Sequence, residues 1–326
     1  MSPAAASAAR AAAAASATMP PVALPTTLRV IERGWLSSNS VLGIDGDAAT
    51  LIDSGYVTHA EQTVALVRAA LAGRRLERLF NTHAHSDHIG GNAALVEAFG
   101  CRVSVPVGVA ATIAEWDEEA LLLSPLGQQA ARFTHDATLA AGDGFVCGEL
   151  NWRALAVPGH DEDALAFHCA DKRILISGDA LWQTGFGVVF VELLGHEEQR
   201  GGLKEQCETL DMLARLPVDI VIPGHGAPFT DIGPAFERAY RRLEAFENNI
   251  DALARHALKV IVAFALLERR RIRSADLPAF LASLSFAQSV NARFLGMNDA
   301  ALADWLVRDL RRAGALREED GWVVAG

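Results

Sequence analysis

Residues 76–91 read Leu76-Glu77-Arg78-Leu79-Phe80-Asn81-Thr82-His83-Ala84-His85-Ser86-Asp87-His88-Ile89-Gly90-Gly91. The apolar start predicts a strand over 76–80, and the polar stretch from Asn81 to His88 predicts a loop. Gly90-Gly91 lets the chain turn sharply before a helical pattern that runs through Phe99. Ten histidines are spread over 326 residues, yet three of them share six positions with Asp87. Histidines at i and i+2 can converge on one cation, and Asp87-His88 can reach a neighbouring one. Imidazole and carboxylate without thiolate suit zinc, and also manganese or iron.

On both sides of this loop the sequence alternates strand and helix. Short apolar runs at 27–31, 40–44 and 48–52, the last two joined by Asp45-Gly46-Asp47, predict antiparallel strands with tight turns. Residues 58–72 have helical spacing and stop at Gly73, and 102–105 read as a strand. Strands are predicted again at 152–157, 164–169, 173–177 and 219–222, with a helix over 202–215. Helices packed on sheets, in a layered α/β or α+β domain, satisfy this pattern.

The character changes near Pro234. Helices are predicted over 234–256, 257–269, 275–284 and 298–313, followed by a hairpin turning at Asp320-Gly321. This places a boundary between residues 230 and 241, giving a domain over 25–233 and a helical domain over 234–326. The Ala- and Pro-rich residues 1–24 read as a disordered tail. They have one early Arg10 and no Leu-rich middle, unlike a signal peptide.

Lys and Arg number 29 against 40 Asp and Glu, a formal charge of −11. Residues 1–234 carry 15 basic and 28 acidic groups, net −13, whereas 235–326 carry 14 and 12, net +2. Such a balance disfavours nucleic acid as a partner. The hydrophobic share of 51% excludes a disordered chain, and no apolar run reaches the length of a membrane span. Cys101, Cys147, Cys169 and Cys207 form no CxxC pair, as in a reduced cytoplasmic protein.

Three later positions extend the donor set: His160 in Pro158-Gly159-His160, Asp179 in Ser177-Gly178-Asp179, and His225 in Pro223-Gly224-His225-Gly226. Each follows a predicted strand beside a glycine, where ligand-bearing loops gather on a layered sheet. Together with His83, His85, Asp87 and His88 they make seven N/O donors, more than one zinc takes and enough for two metals sharing a bridging carboxylate.

With these motifs in this order, residues 25–235 resemble the metallo-β-lactamase superfamily. The resemblance implies a four-layer αββα sandwich with the site at the edge between two sheets, here carrying a helical, winged-helix-like C-terminal extension. It implies that His83, His85 and His160 hold one metal, that Asp87, His88 and His225 hold a second, and that Asp179 bridges them. Asp53, in Leu51-Ile52-Asp53-Ser54-Gly55, matches an early Asp that supports the metal loop from behind. Asp87 is expected to orient a shared water and shuttle its proton.

Departures from the family's branches narrow the substrate. The bridging Asp179 argues against antibiotic hydrolysis, and His85 stands where the diiron oxygen-reducing branch has Glu. Ala180-Leu181-Trp182-Gln183-Thr184-Gly185-Phe186-Gly187-Val188 replaces the Cys-Gly-Arg stretch of glyoxalase II and counts against glutathione thioesters.

The expected activity is therefore dimetal hydrolysis of a small ester, thioester or lactone, with Trp182, Phe186 and Phe190 as pocket residues. A phosphodiesterase or ribonuclease using the C-terminal module, and a metal-stabilised non-enzymatic regulator, are the alternatives. The extension also offers a surface for a homodimer. His59, His135, His168, His196 and His256 read as surface or core histidines, and residues 269–273 (Arg-Arg-Arg-Ile-Arg) read as the solvated end of a helix.

Overall fold

Leu51 and Ile52 are both fully buried, yet they face opposite ways: Leu51 joins an apolar cluster with helices, Ile52 an apolar cluster between two sheets. Leu79 and Phe80 divide in the same manner, as do Leu175 and Ile176 in the second half of the chain. Side chains on a strand alternate faces, so a near-continuous apolar run is what a sheet covered on both sides demands. Two such sheets stacked face to face, each with helices on its outer side, give the four-layer αββα sandwich.

The computed structural model describes residues 23–194 and 201–326. The expected tail lies outside these residues except for Ala23 and Leu24, and Leu24 packs against the inter-sheet core.

The first sheet contains β1 (Leu28–Ile31), β2 (Ser40–Asp45), β3 (Ala48–Ile52), β4 (Arg75–Phe80), β5 (Arg102–Pro106) and β6 (Ala137–Leu139), in that spatial order. The β1, β2 and β3 strands pair antiparallel, the last two through a tight turn at Gly46-Asp47, and β3 to β6 pair parallel. Parallel neighbours need crossovers. Helix α1 (Ala60–Leu71) links β3 to β4, while α2 (Ser86–Ile89) and α3 (Asn92–Phe99) link β4 to β5; α4 (Ala110–Glu115) and α5 (Leu123–Leu126) precede β6.

The second sheet contains β7 (Gly144–Cys147), β8 (Leu150–Ala156), β9 (Leu165–Cys169), β10 (Ile174–Gly178) and β11 (Ile220–Pro223), antiparallel except for the parallel β10–β11 pair. Helices α6 (Val191–Leu194) and α7 (Gly202–Ala214) lie on the β10-to-β11 connection. Trp152, Phe167, Ile176 and Ile222 meet Ile52 and Phe80 between the sheets.

The helical extension follows as α8 (Ile232–Glu247), α9 (Ile250–Arg269), α10 (Leu277–Ser283), α11 (Ser285–Val290) and α12 (Asp299–Arg312). It closes with a small sheet in the order β12 (Arg271–Arg273), β14 (Trp322–Ala325), β13 (Leu316–Glu319). Asp320 and Gly321 make the β13–β14 turn with φ of 47° and 79°, the left-handed pair that a two-residue hairpin requires. Leu243, Leu253 and Leu306 share one continuous apolar cluster with Leu175, Leu210 and Val221 of the sandwich.

Local details differ from expectation. The first long C-terminal helix breaks at Asn248-Asn249, not at 256, because the Asn249 side chain caps the backbone N–H of Ala252 at 3.3 Å. The arginine run is only partly a helix end. Arg270 turns the chain at φ 68°, and Arg271 and Arg273 flank Ile272 in β12 with their guanidinium groups over Trp322. The predicted helix over 275–284 is shorter and is followed by a separate α11.

Candidate metal centre

The C-terminal ends of the strands converge at one edge of the sandwich. Asp53 follows β3, the His83–His88 loop follows β4, His160 follows β8, Asp179 follows β10 and His225 follows β11. Single-turn helix α2 directs Asp87 and His88 back into the same space. Neighbouring loops fix the arrangement. Asn39 donates to the Pro223 and Gly226 carbonyls at 3.0 and 2.6 Å, and the Ser38 amide donates to the Asp87 carbonyl at 3.0 Å.

The seven expected donors come together. His83, His85 and His160 form one group, Asp87, His88 and His225 a second, and Asp179 stands with His83 and His88 between them; within each group the nearest donor atoms lie within 4.8 Å of one another. Nδ1 of His85 lies 2.8 Å from Nε2 of His160. Nε2 of His225 lies 2.9 Å from Oδ2 of Asp87. The Asp179 carboxylate reaches both sides: Oδ1 is 3.4 Å from His88 Nε2, and Oδ2 is 3.5 Å from His160 Nε2 and 3.8 Å from His225 Nε2.

Groups behind the donors set the histidine tautomers. Nδ1–H of His160 donates to the Val188 carbonyl at 2.6 Å, leaving the Nε2 lone pair free to face the cluster. Nδ1–H of His88 donates to Asp53 Oδ2 at 2.9 Å. Asp53 is itself held by the Thr82 amide and hydroxyl, each at 2.8 Å. The Trp182 indole N–H donates to Asp179 Oδ1 at 3.2 Å. Glycine is required at position 224, where a Cβ would collide with Asp179 Oδ1 and crowd the His88 ring.

Three observations match this space to cations. Nε2 of His83 and Nε2 of His88 are buried without a hydrogen-bond partner among the described residues, a costly condition that a bound ion relieves. Burial pushes the pKa of His85 and of His160 down to about 4, and that of His83 well below the usual histidine value, so these imidazoles are neutral lone-pair donors. Burial disfavours a charged His88 as well, yet Asp53, Asp179 and Asp87 outweigh it and raise its pKa well above normal. Asp179 shows the reciprocal effect: burial raises its pKa, but His88, His225 and His160 bring it far below the usual carboxylate range. The centre is thus a buried negative space that attracts positive charge.

A cleft of about 260 Å³ opens onto the cluster. Trp182 and Phe190 line it as expected. Phe186 does not: it is 1% exposed, lies edge-on to Phe246 in the core and sits beneath the Arg242 guanidinium. Trp35 was not anticipated. It is 54% exposed, and its ring stacks on His225 with centroids 5.4 Å apart and planes 9° from parallel.

The extension supplies one wall through Arg242 of α8 and His256, Val260 and Phe264 of α9. His256 is therefore a cleft residue as well as a part-buried one. Spacing i, i+4, i+8 puts the last three on one helix face. Arg242 carried a readable signal, a cation beside the buried stripe Ala235, Ala239, Leu243, Phe246. His196 lies outside the described residues.

Known proteins share this framework. A beta-lactamase domain protein from Burkholderia ambifaria superposes with a TM-score of 0.56 at 22% identity, over 95% of this chain and 97% of its own. A metallo-beta-lactamase family protein from Thermus thermophilus gives 0.55 at 20% identity, over 93% and 100%. At these identities the likeness is one of fold, and it extends through the C-terminal helices. A hydroxyacylglutathione hydrolase from Cereibacter sphaeroides is 37% identical over 162 residues, 49% of this chain and 52% of that protein. One from Rhizobium etli is 30% identical over 130 residues, 40% and 43% respectively. The chain thus spans about half the length of the curated relatives it matches. The sequence model of the metallo-beta-lactamase superfamily matches residues 33–225, more than half of the chain. The chain belongs to the metallo-beta-lactamase superfamily.

Proposed function

We propose that this chain is a dimetal hydrolase of a small ester, thioester or lactone. The observation that carries the reading is the pair of donor groups flanking Asp179 at the mouth of a cleft with Trp35, Trp182, Val188 and Phe190 in its walls. His83, His85 and His160 would hold one divalent cation and Asp87, His88 and His225 the other, with Asp179 shared. The imidazole-rich set favours zinc, and the same N/O donors serve manganese or iron. When bound, such a pair supplies a hydroxide near neutral pH and polarises the carbonyl under attack.

The chain's own residues do the rest. Asp87 keeps an ionised carboxylate: burial works against it, but His88 and His225 lower its pKa. It faces the cleft and is placed to take the proton of the attacking water and pass it to the leaving group. The water oxygen bonds to the acyl carbon, the C–O or C–S bond breaks, and the leaving oxygen or sulfur receives that proton. Trp182 holds Asp179 in register through its indole N–H. The aromatic walls bury the body of the substrate and exclude bulk water.

The thioester member of this range draws support from the relatives named hydroxyacylglutathione hydrolase. The phosphodiesterase alternative draws none from the cleft, since Arg242 is the sole Lys or Arg among its described lining residues. The test is a panel of esters, thioesters, lactones and bis(p-nitrophenyl) phosphate, run with and without chelator. Chelator-sensitive acyl hydrolysis is the expected result; hydrolysis of the phosphodiester alone would overturn the assignment.

A further inference from the structure

Among the described residues, Arg242 is a cation without a counter-charge. It stands on α8 and is half-buried in the cleft wall. Its Nη1 donates to the Phe186 carbonyl at 3.0 Å, and its guanidinium lies against Gly185 and over the Phe186 ring. No carboxylate pairs with it among the described residues. The acidic residues that share the cleft, Asp87 and Asp179, already face the histidines of the donor cluster. Leaving a guanidinium partly desolvated with spare donors is costly unless something in the cleft answers it.

The surroundings suit an anionic guest. Thr184, Gln128 and His256 are polar residues lining the same cleft, among apolar Leu126, Val260 and Phe264. Burial, aided by Arg242 and Lys259, drives the His256 pKa down to about 4, so its ring stays neutral at pH 7 and can add a hydrogen bond. A planar guanidinium with free donors matches the two oxygens of a carboxylate.

We infer that the cleft selects acyl substrates bearing a carboxylate, which Arg242 binds while the scissile carbonyl lies at the donor cluster. The inference rests on the hydrolase reading for the chemistry, though not for the binding of the anion.

Two measurements separate them. The first compares kcat/KM for the mono-S-ethyl thioester of hexanedioic acid with that for S-ethyl hexanethioate, which has the same six-carbon acyl chain and no charge. The wild-type protein prefers the charged substrate by about tenfold or more, in line with a charge-assisted hydrogen bond. In Arg242→Gln the ratio falls to within about twofold, and Arg242→Lys, which keeps the charge, retains part of it. Equal rates in the wild type, or a ratio unchanged in Arg242→Gln, would overturn the inference while leaving hydrolysis intact.

The second is calorimetric binding of 6-(ethylthio)hexanoate against 6-(ethylthio)hexan-1-ol, thioethers that cannot be hydrolysed. Selective binding of the anion by wild type and not by Arg242→Gln supports the site even if neither thioester turns over, in which case the hydrolase reading alone fails. Equal affinity for both thioethers, or binding of the anion undiminished in Arg242→Gln, would contradict it.

Discussion

Nδ1 of His88 lies 2.9 Å from Oδ2 of Asp53 in a space closed to solvent, with His88 0% and Asp53 3% exposed. This contact fixes the His88 tautomer and turns Nε2 toward Asp87 and Asp179. Asp53 occupies a left-handed turn at φ 59°, a conformation that Asp tolerates better than most residues. Asp53→Ala should therefore lower metal affinity or activity by about 10–100-fold, the usual cost of losing a ligand's supporting partner. Competition titration with a chromophoric chelator measures it, and unchanged affinity would remove Asp53 from the metal site.

Glycine at 224 lets the His225 loop pass directly over Asp179. Gly224→Ala forces backbone apart from a ligand carboxylate, so activity should fall by at least about 100-fold, as small misplacements at a reacting centre do. Circular dichroism should show the fold retained. Full activity in this variant would show that the loop can shift freely.

Trp35 shields His225 from solvent and completes the cleft. Trp35→Ala should raise KM and lower kcat/KM by several-fold to about tenfold, the scale of one aromatic contact, while metal content stays at the wild-type level. Steady-state kinetics with elemental analysis on the same preparation checks both parts.

Tyr56, fully buried, ties the sandwich to the extension: its hydroxyl donates to Glu268 Oε1 at 3.0 Å and accepts from the Gln129 amide at 3.1 Å. Tyr56→Phe should cost about 1–3 kcal/mol, because the Gln129 N–H loses its acceptor. Denaturant unfolding of both proteins at matched metal loading gives the difference.

His256 makes a pH-dependent contribution. Its pKa is depressed to about 4 in the folded chain, by burial first and then by Arg242 and Lys259, against about 6.5 when unfolded. A depressed value means that the unfolded chain binds the proton more readily. Its contribution is therefore present above about pH 6.5 and lost as pH falls toward 4. Thermal unfolding between pH 7 and 4.5 should show a shallower decline for His256→Gln than for wild type; identical slopes would assign the decline to other groups.

The sandwich and its donor loops were legible in the sequence because their signals are local. Strands such as β3 and β10 are short apolar runs, His83 to His88 form one compact motif directly after β4, and His160, Asp179 and His225 each follow a glycine near a strand end. The walls of the cleft were not legible in this way. Trp35 lies in a loop with no periodicity, and it meets His225 only after 190 positions of chain have folded between them. Phe186 read as a pocket residue because it follows Asp179 closely, but the packing of Phe246 and Arg242 draws it into the core. His256 lacks a motif, and its place in the cleft depends on how α9 docks on the sandwich. Short β6 and β7 are not legible either, because three or four residues carry too little pattern to separate from loop.

The most direct test of the dimetal centre is metal stoichiometry in wild type and in Asp179→Ala, by elemental analysis of protein purified without added chelator. The account predicts two divalent ions per wild-type chain, and one or none in the variant together with loss of nearly all turnover. Two ions held by Asp179→Ala, or a fully active wild-type chain that binds no metal, would contradict it.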